Sequence, residues 1–256
     1  MTQSADHTER QSALLQAIVQ EYIKTARPVG SQVLVEEYGF EFSPATIRND
    51  MAALEEGGYI RQPHTSAGRI PTEKGYQYYI QHFLAPKELR SAQKAALSEV
   101  VRQPSAIDRT DRNNPSRDQQ WIQQLAKTLS ALTNDAVIVS ADGDQLFYTG
   151  MSHMFRQPEF SDDSELLVSI GEVFDRMDET MKHMRSVASD NVQVLVGKQN
   201  PLSHQCSMVL SEYEFGNGRS TVVSIFGPMR MNYDQNVAIL EYIETVMKQL
   251  HEPQQE

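Results

Sequence analysis

The N-terminal third of the chain carries helix boundaries so closely spaced that it can accommodate only a small domain of short helices. Apolar residues recur at helical spacing over about residues 9–25, and Pro28 ends that helix. Gly30-Ser31 opens a second helix, which ends near Gly39. Ser43-Pro44 then supplies a capping hydroxyl and a first-turn proline, the preferred chemistry for the start of a third helix.

A short hairpin follows the third helix, which ends at Gly57-Gly58. The sequence predicts, in order, a strand at 59–62, a polar loop at 64–69, a returning strand at Ile70 and a helix from Pro71-Thr72 to Phe83. This order of elements is typical of a winged helix-turn-helix domain. There the third helix enters the major groove of DNA and the hairpin loop touches the flanking backbone. We therefore predict a winged helix-turn-helix DNA-binding domain over residues 1–84.

The third helix has two different faces on a helical wheel. Ile47, Met51 and Leu54 share one side, which we expect to pack against the domain. The opposite side carries short or polar residues, namely Ala45, Arg48, Asn49 and Ala52. Alanines let a helix backbone approach the groove, while Asn49 suits bidentate pairing with adenine and Arg48 suits guanine or phosphate. The pattern predicts a base-reading face.

Other candidate contacts are with the DNA backbone. Free N–H groups at the start of the third helix, near Ser43 and Thr46, suit a phosphate oxygen. The hairpin loop offers hydroxyls, a glycine for close approach and positive charge, in the residues His64, Thr65, Ser66, Gly68 and Arg69. We expect Arg69 to reach the backbone or a minor groove.

Charge does not by itself indicate DNA binding. The first 84 residues carry 7 Lys and Arg against 10 Asp and Glu, a net charge of −3 in a chain whose total is −11. Surface arginines such as Arg48 and Arg69 are as often solvated or ion-paired as functional, and an exposed helical asparagine is common. Glu55 and Glu56 would repel phosphate if they faced it. The residues alone leave both interpretations open.

The rest of the chain is predicted as a connection followed by an α+β domain. Residues 85–120 contain a helix at 87–101 with few apolar positions and then a polar, proline-containing segment typical of a flexible linker. Residues 121–256 are predicted to hold helices at 121–132, 165–183 and 236–250 and strands at 136–140, 145–149, 192–196, 207–215 and 220–226. Asp142-Gly143 marks the first hairpin turn.

Catalysis has little support in the sequence. Cys206 and His204 would point to the same face of a strand, but no oriented base, nucleophile elbow or phosphate loop accompanies them. The acidic residues Asp162, Asp163 and Glu165 favour the capped start of a helix over a metal site. We therefore expect no enzyme activity.

No metal or cofactor is expected either, because no Cys and His pairs stand at zinc-ligand spacing. The longest apolar runs have four residues, such as 136–139, and the N-terminus lacks a basic flank before an apolar stretch. We predict no membrane partner, no secretory signal and a cytoplasmic location.

Three runs of residues in the predicted DNA-binding domain carry a specific resemblance. They are 28–31 (PVGS), 43–51 (SPATIRNDM) and 62–72 (QPHTSAGRIPT). The chain resembles the HrcA family of bacterial heat-inducible transcription repressors over about residues 9–84. The likeness resumes at 157–160 (QPEF), 200–202 (NPL) and 227–233 (GPMRMNY). Both ends of the chain are thus similar to one family.

The resemblance implies a GAF-like C-terminal α/β regulatory domain at 121–256 and repression of chaperone genes through an inverted-repeat operator called CIRCE. It also implies control by the chaperonin GroEL. Typical relatives are longer between Ser140 and Met154, where they carry an inserted dimerisation domain that this sequence lacks. The resemblance therefore leaves open where the chain dimerises.

A twofold dimer is the simplest reader of an inverted repeat, so we expect a homodimer. Candidate surfaces are the helix at 87–101 and the closing helix, whose apolar residues are Val237, Leu240, Tyr242, Ile243 and Val246. The other interpretation of the closing helix, which we favour, is that it covers the sheet. The alternative function is a ligand- or protein-sensing regulator that has altered or lost operator binding.

Overall fold

The computed structural model describes residues 2–65, 67–102, 115–141, 146–161, 163–215 and 219–251. The chain divides into two compact units, Met1–Leu84 and Ala85–Glu256. The predicted Asp142-Gly143 turn and residues 103–114 of the predicted linker lie outside the described residues.

The first unit has the predicted order of helix, helix, helix, hairpin, helix. Its elements are α1 (Thr2–Thr25), α2 (Ser31–Tyr38), α3 (Pro44–Glu56), β1 (Ile60–Arg61), β2 (Ile70–Pro71) and α4 (Glu73–Phe83). The two strands are antiparallel, with Ile60 opposite Pro71 and Arg61 opposite Ile70. The strands are two residues long, shorter than the sequence predicts.

The core of the first unit is a helical one, to which every helix contributes. Leu14, Ile18 and Val19 of α1 are fully buried, as is Leu34 of α2. Ile47 of α3 joins them, and α4 adds two buried tyrosines. Because most of the stability of short helices comes from such packing, the apolar side of α3 must face inward.

A buried ion pair fixes α3 against α1. The Arg10 guanidinium donates to both carboxylate oxygens of Asp50, from Nε at 2.7 Å and from Nη2 at 2.9 Å. The Asp50 side chain is only 4% exposed, so removing Arg10 would leave a buried carboxylate without this partner. The same guanidinium lies 4.9 Å from the ring centroid of Phe42, in the turn before α3. The orientation of α3 is therefore held by polar contacts as well as packing.

The second unit is an antiparallel sheet between helices. Its elements are α5 (Ser91–Arg102), α6 (Pro115–Thr133), β3 (Ala136–Ala141), β4 (Leu146–Thr149), α7 (Met151–Phe155), α8 (Pro158–Ser161), α9 (Ser164–Asp175), α10 (Met177–Val187), β5 (Gln193–Val196), β6 (Cys206–Phe215), β7 (Arg219–Pro228) and α11 (Tyr233–His251). The strand order is β4-β3-β7-β6-β5. This is an α+β arrangement of mixed helix and sheet.

Alternate residues of the strands face two different helical layers, as the period of two requires. Ile138, Met208 and Phe226 belong to a core cluster with buried residues of α7 to α10. On the other side the Tyr213 hydroxyl donates to the Leu240 carbonyl of α11 at 2.9 Å. Helices thus cover both faces of the sheet.

Several predicted elements of the second unit differ from the observed ones. The single helix predicted at 165–183 is two helices, α9 and α10, which meet at Arg176. Two further helices, α7 and α8, were not predicted, and each is no longer than five residues. Short helices escape detection because the helical period needs about 11 residues to emerge.

The helix α5, which lies in the predicted connecting segment, packs inside the second unit. Leu97, Val100 and Val101 are buried, and the indole N–H of Trp121 donates to the Val100 carbonyl at 2.9 Å.

The apolar residues of α11 considered for a dimer surface are likewise internal: Val237, Leu240, Ile243 and Val246 are buried, and the Tyr242 hydroxyl lies 2.9 Å from Ser98 Oγ. These side chains are core, which confirms the interpretation favoured for the closing helix and excludes them as a dimer surface.

None of the helices in the described ranges is both long enough and apolar enough to cross a bilayer.

Candidate nucleic-acid interface

The two sides of α3 differ as sharply in the structure as in the sequence. Its inward side is formed by Ile47, Asp50, Met51 and Leu54, all buried. Its outward side carries Ala45, Arg48, Asn49 and Ala52, and all four are exposed. We call these four residues the open face of α3. It presents two short side chains, an amide and a guanidinium, as the sequence predicts.

The start of α3 is capped from within. The Thr46 N–H donates to Ser43 Oγ at 3.1 Å, and the two hydroxyl oxygens lie 3.0 Å apart. The expectation of a free backbone donor at Thr46 is therefore wrong, because the N-cap already satisfies it. The Arg48 Nε donates to the Pro44 carbonyl at 3.2 Å, which draws this side chain along the helix toward its N-terminus.

A glutamine bonds two backbone carbonyls of the loop between β1 and β2. Gln62 Nε2 donates to the carbonyls of Thr65 and Ala67, at 3.0 and 2.9 Å. The Ala67 N–H also donates to the His64 carbonyl at 2.9 Å. His64 and Thr65 are exposed, whereas Ser66 lies outside the described residues.

Gly68 has a structural reason that the sequence did not predict. Val29 and Arg69 exchange two backbone hydrogen bonds, at 2.8 and 2.9 Å. A Cβ on Gly68 would overlap the Val29 carbonyl. The glycine therefore permits close approach of the hairpin to the segment before α2. Close approach of Gly68 to DNA stays a prediction.

Arg69 is ion-paired rather than extended into solvent. Its Nε donates to Glu55 Oε2 at 2.8 Å, and its side chain is 20% exposed. The same carboxylate accepts the Gln62 N–H at 2.9 Å. The expected repulsion of phosphate by Glu55 is thus offset by a neighbouring positive charge, whereas Glu56 is exposed.

Two cations near this surface were missed by sequence reasoning. Arg61 of β1 is exposed beside the loop, and only the alternation of the short strand would have placed it outward. Lys74 Nζ donates to the Gly57 carbonyl at 2.7 Å and lies 4.1 Å from the Tyr59 ring centroid. Lys74 therefore bonds the backbone directly after the C-terminus of α3. No local sequence pattern indicates this contact.

A second polar cluster lies in the other unit, where segments distant in sequence meet around Asp135. Gln157 Nε2 donates to Asp135 Oδ1 at 3.1 Å and Asn236 Nδ2 donates to Oδ2 at 3.2 Å. Arg230 donates to Gln157 Oε1 at 3.1 Å and is paired with Glu159. Asp135 is almost wholly buried. The runs at 157–160 and 227–233 thus stabilise one buried network.

Burial raises the pKa of Asp135 from 3.8 to about 6, although the bonds from Gln157 and Asn236 and the charge of Arg230 act in the opposite direction. Folding therefore favours the protonated carboxyl. Its stabilising contribution is complete below about pH 4 and is lost as the pH rises through 6.

Between about pH 4.5 and 7, we expect the wild-type chain to lose about 2 kcal/mol of unfolding free energy relative to Asp135→Asn, which cannot titrate. Urea unfolding of both proteins across this pH range measures the difference. Parallel stability curves for the two proteins would contradict the expected titration.

The residues considered for catalysis do not form a reactive site. Cys206 is fully buried at the start of β6, and burial raises the pKa of its thiol to about 12. His204 is exposed in the preceding turn, so the two side chains do not share a strand face. Asp163 caps α9 by accepting the Leu166 N–H at 2.9 Å, as predicted. Among the described residues no group of three or more His, Cys, Asp or Glu is placed to hold a metal ion.

Comparison with a solved structure supports the fold. The chain is similar to a crystal structure described as a hypothetical protein, with a TM-score of 0.67 and 20% sequence identity. The match covers 94% of this chain and 97% of the other. The arrangement of helices and sheet is therefore shared with an experimentally determined fold.

Comparison with curated sequences identifies relatives. The chain is 25% identical over 326 aligned residues to the heat-inducible transcription repressor HrcA of Shouchella clausii, covering 91% of this chain and 95% of the relative. It is 52% identical over 108 residues to the protein of the same name from Beutenbergia cavernae, covering 41% of this chain and 31% of the relative.

The alignment with the Shouchella protein exceeds the 256 residues of this chain, so that relative contains residues without a counterpart here. This agrees with the prediction that the chain is a shortened form of the family's proteins. Residues 79–237 match the family model described as HrcA protein C terminal domain. Because that match spans more than half of this chain, the chain belongs to the HrcA family.

Proposed function

We propose that this chain is a sequence-specific transcription repressor of heat-shock genes that binds an inverted-repeat operator of the CIRCE type. Residues 1–84 act as the winged helix-turn-helix domain, with α3 in the major groove and the hairpin as the wing. The observation that carries the proposal is the open face of α3, exposed beside an ordered hairpin. The names of the relatives support repression.

Base reading is assigned to α3. Ala45 and Ala52 extend little beyond the backbone, so base edges can come close to the helix. Asn49 then pairs with adenine, and Arg48 contacts guanine or phosphate. On the opposite side of the helix, the ion pair of Asp50 with Arg10 holds this face at a fixed angle to α1.

Backbone contacts are assigned to the N-terminus of α3 and to the hairpin. Ser43 and Thr46 supply hydroxyls at the positive end of the helix dipole. The hairpin supplies the residues that the sequence suggests, namely His64, Thr65, Ser66, Gly68 and Arg69. We add Arg61, which is exposed at the end of β1. These contacts set position and do not read sequence.

The second unit is assigned the regulatory role, as a GAF-like domain in the cytoplasm. An inverted repeat calls for a homodimer, so that each α3 meets an identical half-site. The chaperonin GroEL is the proposed protein partner, by analogy with the family. The residues that form the dimer lie elsewhere than on the buried side of α11.

Replacing Arg48 and replacing Arg69 are expected to weaken DNA binding in different ways. Arg48→Ala should cost about 1–3 kcal/mol on the operator and less on scrambled DNA, because it removes a base contact. Arg69→Ala should weaken binding to every sequence and lower the salt slope by about 1. Lys248→Ala on α11 removes an equal charge and is the control. Unchanged affinity in both arginine variants would contradict the assignment.

The proposal as a whole is tested by a gel shift on a CIRCE-type operator, with and without chaperonin, at stated salt. We expect retention of operator DNA and a change when chaperonin is added. The alternative is a ligand- or protein-sensing regulator without operator binding, which the shorter length of this chain favours. A strictly monomeric mass by light scattering, with no added mass on operator DNA, would support the alternative.

A further inference from the structure

We infer that Glu55 and Gln62 are positioning residues that couple the hairpin loop to α3, so that both elements meet DNA as one surface. The inference rests on the proposed operator binding, and it reverses the role that charge alone would give Glu55. A carboxylate beside a DNA-binding surface repels phosphate in the simplest view. Here its contacts indicate the opposite effect on binding.

Glu55 joins the last turn of α3 to both strands of the hairpin. Its Oε1 accepts the N–H of Gln62, which directly follows β1, at 2.9 Å. Its Oε2 accepts Arg69 Nε, directly before β2, at 2.8 Å. Hydrogen bonds to a charged acceptor are stronger than neutral ones, so one carboxylate fixes the hairpin at two points.

Gln62 carries this connection into the loop. Its backbone N–H is bonded to α3 through Glu55, while its side chain donates to the carbonyls of Thr65 and Ala67. The loop conformation and the position of the loop relative to α3 therefore depend on the side chain and the backbone of one residue. An ordered loop loses less conformational entropy when it binds.

The ion pair leaves part of Arg69 available. Only Nε bonds Glu55, and within the described residues the two terminal nitrogens of Arg69 make no hydrogen bond. The Arg69 backbone is held by its two hydrogen bonds with the Val29 backbone. Glu55 therefore orients a guanidinium whose outer donors suit a phosphate oxygen.

Glu56 provides a matched comparison on the same helix. It carries the same charge one residue further on, is exposed, and makes no ion pair or hydrogen bond with the described residues. If only charge matters, neutralising either glutamate strengthens DNA binding. If Glu55 positions the hairpin, only the neutral variant of Glu55 weakens binding.

The experiment compares Glu55→Gln and Glu56→Gln on a fluorescent CIRCE-type operator by anisotropy at several salt concentrations. We expect Glu55→Gln to bind about tenfold more weakly, with the salt slope lowered by about 1, because Arg69 is no longer oriented. Glu56→Gln should bind as tightly as wild type or more tightly. Gln62→Ala should repeat the weakening without changing any charge.

Hydrogen exchange of the free protein separates this inference from the proposed function. Glu55→Gln should exchange faster than wild type across residues 61–70, with little change in the buried part of α1. Unchanged exchange there, or operator binding by Glu55→Gln at least as tight as by Glu56→Gln, overturns the positioning role. If wild type does not prefer the operator to scrambled DNA, the proposed function fails whatever the exchange result.

Discussion

Ala52→Glu is expected to reduce operator affinity by at least about 100-fold, because it places a carboxylate among phosphates and base edges, where like charges cost several kcal/mol. Ala52 is exposed at the C-terminal end of the open face of α3, so the fold leaves room for a longer side chain there. Glutamate is also a good helix former, and the fold should persist. The loss should fall on binding alone.

The matched control is Ala13→Glu, which adds the same charge at an exposed position of α1. Anisotropy titrations of both variants and wild type, at one salt concentration, measure the contrast. We expect Ala13→Glu to bind within about threefold of wild type, since Ala13 is outside the proposed contact surface and salt screens exposed charges. Equal affinities of the two variants would show that the open face of α3 does not meet DNA.

Gly68→Ser is expected to lower the free energy of unfolding of the first unit by about 3 kcal/mol, through overlap with the Val29 carbonyl and loss of the backbone bonds between Val29 and Arg69. Gly30→Ser is the control from the same pair of segments. Gly30 is the N-cap of α2, has a φ of −91° and has open space where a Cβ would stand. Serine is favoured at that position.

Urea unfolding followed by circular dichroism distinguishes the two variants. Gly30→Ser should be as stable as wild type or more stable, whereas Gly68→Ser should unfold at lower urea. Operator binding by Gly68→Ser should weaken as well, since the hairpin loses its anchor. If both serine variants match wild type in stability, the close approach of the hairpin to Val29 is not a feature of the folded protein.

Local patterns were sufficient to predict the first unit. Ser43-Pro44 marks the start of α3 and Gly57-Gly58 its end, and both boundaries are close to the observed ones. The spacing of Ile47, Met51 and Leu54 identifies the buried side of α3 and hence the open face. These signals depend on residues within a few turns of each other, which a single sequence displays directly.

Contacts between residues far apart in the sequence were not predictable. The pairing of Glu55 with Arg69 depends on how the hairpin folds back on α3. From the sequence alone, a structural role and a DNA-binding role of Arg69 were equally expected. The packing of Gly68 against Val29 was not foreseen either, because Val29 is distant in the chain. The sequence shows which residue types are present, but not which of them meet.

The second unit was predicted less well for the same reason. No proline or glycine lies within four residues of Arg176, so no helix-breaking residue marks the break. The network around Asp135 gathers residues from the segments near 157 and 230. Their resemblance to the family was visible, whereas their meeting point at one buried carboxylate was not.

The most direct test of the account measures the affinity of the full chain for a CIRCE-type inverted repeat and for the same bases in scrambled order, at about 0.15 M salt. If the open face of α3 reads base edges, the inverted repeat should be bound at least about 1000-fold more tightly than the scrambled duplex, and Asn49→Ala should reduce that ratio. Equal affinity for the two duplexes would contradict the account.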